Sequence, residues 1–409
     1  APPRVSSMQP RSASTAAAMS MFAYAPASLR RLCLLSACFA ATSVQAVEVN
    51  DQWDIGGALR ARYDLDGRRN LNHLSVDTVI LRADFRDTHW MASASHRFYG
   101  GDHPYTYAGT GRVNFTESAW VGYRFDDERQ LQAGLNKIAF GMQPYFGHTF
   151  NQSIGNGIGL EDISAVGVKY QHLGSEWGVI AGVYPRSAWQ GSGTSNGRTY
   201  ALVPTPADPG LEDGTRQRER DLLSLRVTRT WTHADGTTAA GMSLLRSRLH
   251  NTATGRDGHR NALALHLRSR SGPWEGRVLG AWQDMHTRDE VNPDVVTLGG
   301  YDGTFNIAAR GTLWFAEGTY HLPWTTDWLH DAKTYVGYSR FDKARDDFAD
   351  SQRLIMGTTF ALKQVWIALE WLHGRNDAAI GGLSYQQGLA AGGDRRWNTQ
   401  VQGNIGYYF

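Results

Sequence analysis

WDIGGALRARYDLD, residues 53–66, is the stretch on which the fold turns. Trp53, Ile55, Gly57, Leu59, Ala61, Tyr63 and Leu65 fall on one face, and Asp54, Gly56, Ala58, Arg60, Arg62, Asp64 and Asp66 on the other. A period of two means a strand with one apolar and one polar face. The next stretch repeats it: Val79, Leu81, Ala83 and Phe85 stand against Thr78, Arg82, Asp84 and Arg86, with Ile80 out of pattern. Working outward, the pattern predicts further strands near 90–98, 113–125, 130–140, 163–171, 176–184, 221–230, 237–248, 261–269, 274–283, 305–320, 333–340, 353–361, 364–372 and 397–409, for a total of about sixteen.

The connections between these strands sort by length. Short ones lie at 86–89, 126–129, 172–175, 231–236, 270–273 and 362–363, and long ones at about 99–112, 141–162, 185–220, 249–260, 284–304, 341–352 and 373–396. Short and long alternate along most of the chain, as in transmembrane barrels with tight turns at one end and external loops at the other. The segment 321–332 is long for the short set, and 67–73 is short for an external loop. About ten tilted residues cross a bilayer core, and in lipid the backbone groups of each strand must pair with a neighbour. Closure of the sheet meets that demand and leaves no open edge. The expected fold is therefore all-β: a transmembrane antiparallel β-barrel of about 16 strands, with 14 or 18 as alternatives. Outside the first 46 residues no apolar run is long enough for a membrane helix.

The two ends of the chain carry further signals. Arg30 and Arg31 precede an apolar stretch, Leu32 to Ala41, and then Val44-Gln45-Ala46. This is the layout of a secretory signal peptide, which places an extension and cleaved signal at 1–46 and the barrel at 47–409. Residues before Met19 or Met21 read as an upstream extension. Leu35-Ser36-Ala37-Cys38 gives the alternative of a lipidated Cys38. With 1–46 removed, both cysteines (Cys33 and Cys38) and four arginines go, and the formal charge moves from +2 to −2. Disulfides and nucleic-acid binding then have no support. At the other end Trp397, Thr399, Val401, Gly403, Ile405, Tyr407 and Phe409 alternate with polar residues. A terminal aromatic behind alternating apolar positions resembles the assembly signal of bacterial outer-membrane proteins, here carried by Ile405, Tyr407 and Phe409. The resemblance implies the outer membrane of a Gram-negative cell, with outer-membrane lipid and the barrel-assembly machinery as partners. Trp53, Trp90, Trp177, Trp231, Trp274 and Trp397 sit at or near strand ends, as interfacial girdles require.

The polar strand faces decide what the barrel encloses. Arg60, Arg62, Arg82, Arg86, Arg97, Arg124, Arg226, Arg268 and Arg277 are expected to point inward, along with Asp54, Asp64, Asp84, Glu275 and Glu370. A packed core does not accept so many charges, whereas a water-filled lumen does. Arg60, Arg62, Arg82, Arg97 and Arg124 would form a basic wall suited to carboxylate or phosphate groups. The alternative is that they pair with inward acids and brace the wall.

The connection GMQPYFGHTFNQSIGNGIGLED, residues 141–162, is rich in glycine and aromatics and ends on Glu161 and Asp162. It resembles the third external loop of sixteen-stranded Gram-negative porins, which folds into the barrel. The wording GLNKIAFGMQPYFGHTF and GIGLEDISAVGVKY, within 134–170, is similar to porins of this broad class. The resemblance implies a constriction loop bearing Tyr145, Phe146, Glu161 and Asp162, the two acids facing the basic wall, although the usual short acidic motif of general porins is missing. It further implies a homotrimer and passive diffusion of small hydrophilic solutes, with a possible anion preference. A channel selective for sugars, carboxylates or phosphate is the runner-up, with Tyr105, Tyr107, Tyr145, Phe146 and Phe150 as a candidate sugar slide. An outer-membrane enzyme needs a Ser–His pair, for which His96 is the best histidine but finds no serine. No nucleophile motif is present, and Gly155, Gly157 and Gly159 follow no buried strand, so no nucleotide loop is expected. The histidines read as solvated. No enzyme activity, cofactor or metal is expected.

Overall fold

The structure, a computed structural model, describes residues 47–101, 109–142, 145–188, 192–193, 199–301, 303–380, 385–393 and 396–409. The expected signal at 1–46 and the aromatics Tyr105 and Tyr107 lie outside the described residues. No helix among the described residues is long and apolar enough to cross a membrane.

Sixteen strands form one antiparallel wall among the described residues. They are β1 Trp53–Asp66, β2 Leu71–Arg86, β3 Trp90–Tyr99, β4 Val113–Arg124, β5 Arg129–Lys137, β6 Ser164–Leu173, β7 Trp177–Ser187 and β8 Gln217–His233, then β9 Gly236–Asn251, β10 Asp257–Ser271, β11 Trp274–His286, β12 Arg310–His321, β13 Leu329–Lys343, β14 Ser351–Leu362, β15 Val365–Arg375 and β16 Asn398–Tyr408. Each pairs with the next, and β16 returns to pair with β1 from Ala58↔Tyr408 to Leu65↔Val401. The sheet is thus closed.

The seam of that closure is tight. Gly57 N donates to Phe409 O at 2.8 Å, and Phe409 N donates to Gly57 O at 3.1 Å. A short strand, Val47–Asn50, continues the pairing of β1 beyond Phe409. Gly57 has no room for a side chain, because a Cβ there would stand 2.1 Å from Ile80 O and 3.2 Å from the Phe409 ring.

All sixteen expected strands are present, several longer than their periodicity suggested. β2 starts at Leu71 because 67–70 is a tight turn, in which the Asp66 carboxylate accepts from Arg68 N and Arg69 N and Asn70 adopts a positive φ of 51°. β9 and β10 extend to a short turn after Asn251, so the expected long connection at 249–260 is short. The expected strand 305–320 divides. Gly303–Ala308 pairs with Val295–Gly300 as a hairpin of the sixth long loop, and the wall resumes at Arg310. The expected strand 130–140 leaves the wall after Lys137, where the third long loop turns inward.

The outside of the wall is apolar. Ile55, Leu81, Val121, Val183, Leu223, Leu265, Val278, Trp314, Val336 and Leu369 are all exposed. Soluble monomers rarely expose contiguous apolar patches beyond a few hundred Å², so a surface of this kind faces lipid. Each of the six expected girdle tryptophans is exposed too, and five of them stand at the short-turn end. Trp90 packs edge-on against Tyr123, and Trp274 packs at a tilt against Tyr320.

Gly57→Val is expected to open the seam. An unpaired backbone group in lipid costs several kcal/mol, so the variant should lose the compact, heat-resistant band on semi-native gels that the folded wild-type barrel gives. A variant as heat-resistant as wild type would show that the seam tolerates a side chain.

Candidate functional site

Counting the turn 67–70 as the first connection at the long-loop end, the third long loop, residues 138–163, enters the barrel and is held against the far wall. Its entry is tied by Gly141 N, which donates to Ser243 Oγ of β9 at 3.0 Å. Arg277 Nη1 of β11 donates to Phe146 O, and His148 N donates to both Glu317 carboxylate oxygens of β12 at 2.9 Å. Phe150 N and Asn151 N donate to Glu370 of β15, and Ile154 N donates to Ser339 Oγ of β13. Arg353 of β14 donates to the carbonyls of Asn151, Gln152 and Ser153 while it pairs with Asp377. Arg260 Nη2 of β10 donates to Gly159 O at 2.5 Å. The loop therefore contacts seven consecutive strands, β9 to β15.

Apolar packing reinforces these bonds. Ile138, Phe140, Phe146, Ile154, Ile158 and Leu160 of the loop are buried in one cluster with Leu245, Leu249, Leu279, Leu313, Phe315 and Phe341 of the wall. Leu202, Val296, Leu298, Phe305 and Leu389 of other long loops join it. Burial of each large side chain contributes roughly 1.5–3 kcal/mol. The lumen on this side is filled.

The opposite side holds open space toward its short-turn end. A cavity of about 1100 Å³ is lined by residues of β1 to β5 and by Tyr408, among them Asp54, Arg82, Asp84, Arg86, Arg97, Glu117 and Lys137. Ile80, out of pattern in the sequence, lines it too. Of the five arginines expected to form a basic wall, Arg82 and Arg97 line this cavity, whereas Arg60, Arg62 and Arg124 do not, and four of the five are paired. Arg60 Nη2 lies 2.6 Å from Asp77, Arg62 grips Asp64 with two bonds of 2.7 Å, Arg82 lies 2.5 Å from Asp84, and Arg97 Nε lies 2.6 Å from Glu117. Among the described residues Arg124, on the same side of β4 as the cavity-lining Ser118, has no carboxylate partner, nor do Arg86 and Arg226.

Two of these partners were invisible to the sequence pattern. Asp77 is the extra residue where Arg60↔Thr78 is followed by Ala61↔Val76, and Glu117 the extra residue where Ser95↔Ser118 is followed by His96↔Thr116. Such bulges re-aim a side chain by breaking the alternation. Strict alternation assigns both acids to the lipid face; the bulges turn them into the lumen beside Arg60 and Arg97.

The loop acids part company. Asp162 faces the open side, where it bonds the Lys137 ammonium and accepts from Gln152 Nε2 and from Tyr200 OH. Glu161 does not face the basic wall. It is buried within the loop, where it accepts from Phe146 N, Ser153 N and the Ser153 hydroxyl. Burial pushes its carboxyl up from the ordinary value, while those three donors act the other way. The Ser153 hydroxyl also accepts from Gly155 N, capping the short helix α1, Ile154–Gly157. Glu161 thus holds the loop in shape.

The aromatics divide in the same way. Phe146 is fully buried, and Phe150 packs on Trp366 with the Arg60 guanidinium 5.2 Å from its ring centre. Phe146 therefore offers no free face for sugar. Tyr145 is partly exposed beside Asp162, whose charge, followed by burial, pushes its hydroxyl well above the usual range. Tyr200, from the fourth long loop, was not anticipated. Its ring lies 4.7 Å from the Arg97 guanidinium and 4.9 Å from the Lys137 ammonium, and it packs with Tyr301 against Tyr99 and Phe115. No period-two signal places a loop residue, so contact alone reveals it. His96 lies on the lipid side of β3 and bonds Thr116 Oγ1, not a serine.

This arrangement is an antiparallel barrel with an inward third loop and a charged, partly open lumen: the fold of outer-membrane porins. Solved structures with the same fold include the outer membrane channel DcaP of Acinetobacter baumannii, at 12% identity and TM-score 0.57 over 90% of this chain and 100% of that one. The Salmonella typhi OmpF complex with daunomycin matches at 9% identity and TM-score 0.54, covering 89% of this chain and 100% of that one. The anion-selective porin from Comamonas acidovorans matches at 14% identity and TM-score 0.51, covering 87% and 99%. No protein-family signature matches the chain, and no curated protein sequence does.

Two predictions follow from the bulged acids and the buried one. Asp77→Asn and Glu117→Gln leave Arg60 and Arg97 uncompensated, so reversal potentials in a salt gradient should move toward anion permeation relative to wild type. An unchanged potential would mean that these acids do not act on the conducting path. Glu161→Ala leaves two backbone donors without their acceptor, at about 1–3 kcal/mol each. Thermal unfolding in detergent should begin several degrees below wild type, whereas Glu128→Ala, on an exposed turn, should leave it unchanged.

Proposed function

We propose that this barrel is a passive diffusion channel for small hydrophilic solutes in the outer membrane of a Gram-negative bacterium. The observation that carries this reading is the open, charged cavity on the β1–β5 side, opposite a third loop anchored along β9–β15. Water and polar solutes fit a path lined by Arg82, Asp84, Arg97, Glu117 and Lys137, while apolar solutes lose solvation there with nothing in return. The orientation implied by the loop lengths puts the long loops outside the cell and the short turns in the periplasm.

Selectivity in this reading is mild. Paired guanidinium and carboxylate groups largely cancel at a distance, so the arginine–acid pairs supply polarity more than net field. The anion preference rests instead on Arg86, Arg124 and Arg226, which no carboxylate among the described residues neutralises. The cluster of Tyr200, Arg97 and Lys137 favours a second reading, a channel selective for sugars, carboxylates or phosphate, since aromatic faces and cations suit such ligands. The seam strand with Ile405, Tyr407 and Phe409 would serve as the assembly signal, and three copies would form the working unit.

Swelling of liposomes that carry the folded protein tests the main reading. A general channel admits sugars, amino acids and small anions at rates graded by size, and a selective channel admits one class far faster than others of equal size. Liposomes that do not swell with any of these solutes would refute both. The triple variant Arg86→Gln, Arg124→Gln and Arg226→Gln should slow anionic solutes relative to neutral ones of the same size. Equal rates before and after substitution would remove these arginines from the account.

A further inference from the structure

We propose that His148, Glu275 and His321 form a luminal binding site for a divalent transition ion of the Zn²⁺ or Cu²⁺ type. The three residues come from three elements, the third long loop, β11 and β12, and their ligand atoms converge within 4.8 Å of one another. His148 Nε2 lies 3.3 Å from Glu275 Oε2, and His321 Nε2 lies 3.0 Å from the same oxygen. Four-coordinate Zn²⁺, with bonds of about 2.0–2.2 Å, sets its ligand atoms about 3.3 Å apart. The two histidine–carboxylate distances already match edges of that tetrahedron, and the remaining position is left for water.

The surroundings fix the ligands. Glu275 Oε1 accepts from Arg268 Nε at 2.8 Å and Arg277 Nε at 2.6 Å, which leaves Oε2 turned to the two imidazoles. The Glu317 carboxylate holds the backbone of His148. Both histidines keep a minor part of their side chains exposed. One contact must give way: Arg277 Nη2 lies 2.9 Å from His148 Nε2 and withdraws when that nitrogen binds metal. The charge of Arg268 and Arg277 opposes a cation, so the site suits ions that gain most from imidazole nitrogen, the zinc and copper end of the divalent series. Bound metal would pin the third loop to the wall at a point where it otherwise depends on hydrogen bonds.

A second arrangement, His259, Asp284 and His286, sits on the outer side of β10 and β11 near the long-loop end and provides an internal control. The test is calorimetric titration of Zn²⁺ into the folded full-length barrel in detergent, so it needs no conductance and stands apart from the channel reading. Wild type and the outer double variant His259→Ala/His286→Ala should share a luminal binding step. His148→Ala and His321→Gln should each weaken that step at least about tenfold, or about 1.4 kcal/mol, with heat-resistant mobility on gels confirming that each variant folds. With one equivalent of Cu²⁺ on the outer double variant, electron paramagnetic resonance should show coupling to two nitrogens, reduced in His321→Gln. The proposal is overturned by absent Zn²⁺ binding, by binding that only the outer double variant removes, or by Cu²⁺ without nitrogen coupling.

Discussion

Everything in this structure depends on one constraint: a strand in lipid must have both its hydrogen-bonding edges occupied. Water supplies no partner there, so an open sheet would leave a row of backbone groups unpaired, each at a cost of several kcal/mol. The reciprocal bonds between Gly57 and Phe409, and the ladder from Ala58↔Tyr408 to Leu65↔Val401, remove that row. Once the wall is closed, alternation does the rest. Apolar side chains such as Ile55, Leu81 and Val121 turn to lipid, and the charges on the other parity have nowhere to go but the lumen.

Those charges settle into two systems with different purposes. Along β9 to β15, Arg260, Arg277, Glu317, Arg353 and Glu370 are spent on the backbone of the third loop, whose own hydrogen-bonding groups would be stranded inside the barrel without them. Along β1 to β5, arginines pair side by side with acids, and the Arg82–Asp84 and Arg97–Glu117 pairs border open space. Lys137 and Asp162 join the systems where the loop leaves the wall. The asymmetry of the lumen, filled on one side and with open space on the other, is the consequence.

The architecture was largely legible in the sequence because period two survives in strands wherever one face meets lipid and the other water. The sixteen strands, the inward arginines and the tryptophans at strand ends all follow from that rule. The misplacements have identifiable causes. Bulges at Asp77 and Glu117 shift parity by one, so strict alternation does not place these two acids beside Arg60 and Arg97. The hairpin at 295–308 has strand-like residues without belonging to the wall. Glu161 and Asp162 are neighbours in sequence, yet Asp162 takes a positive φ of 57°, and the two carboxylates part, one into the loop and one toward Lys137. Tyr200 reaches Arg97 only through tertiary packing of a long loop.

The central claim is that the space between the third loop and the β1–β5 wall is a continuous aqueous path. Single-channel recording of the folded protein in planar bilayers tests it most directly. The account predicts stable, ohmic conductance steps at low voltage, lowered when a bulky side chain is placed on the open side by Ser95→Trp and unaffected by Ala361→Trp beside the filled half. Folded protein that inserts but passes no steady current, or that conducts equally well in the Ser95→Trp variant, would contradict it.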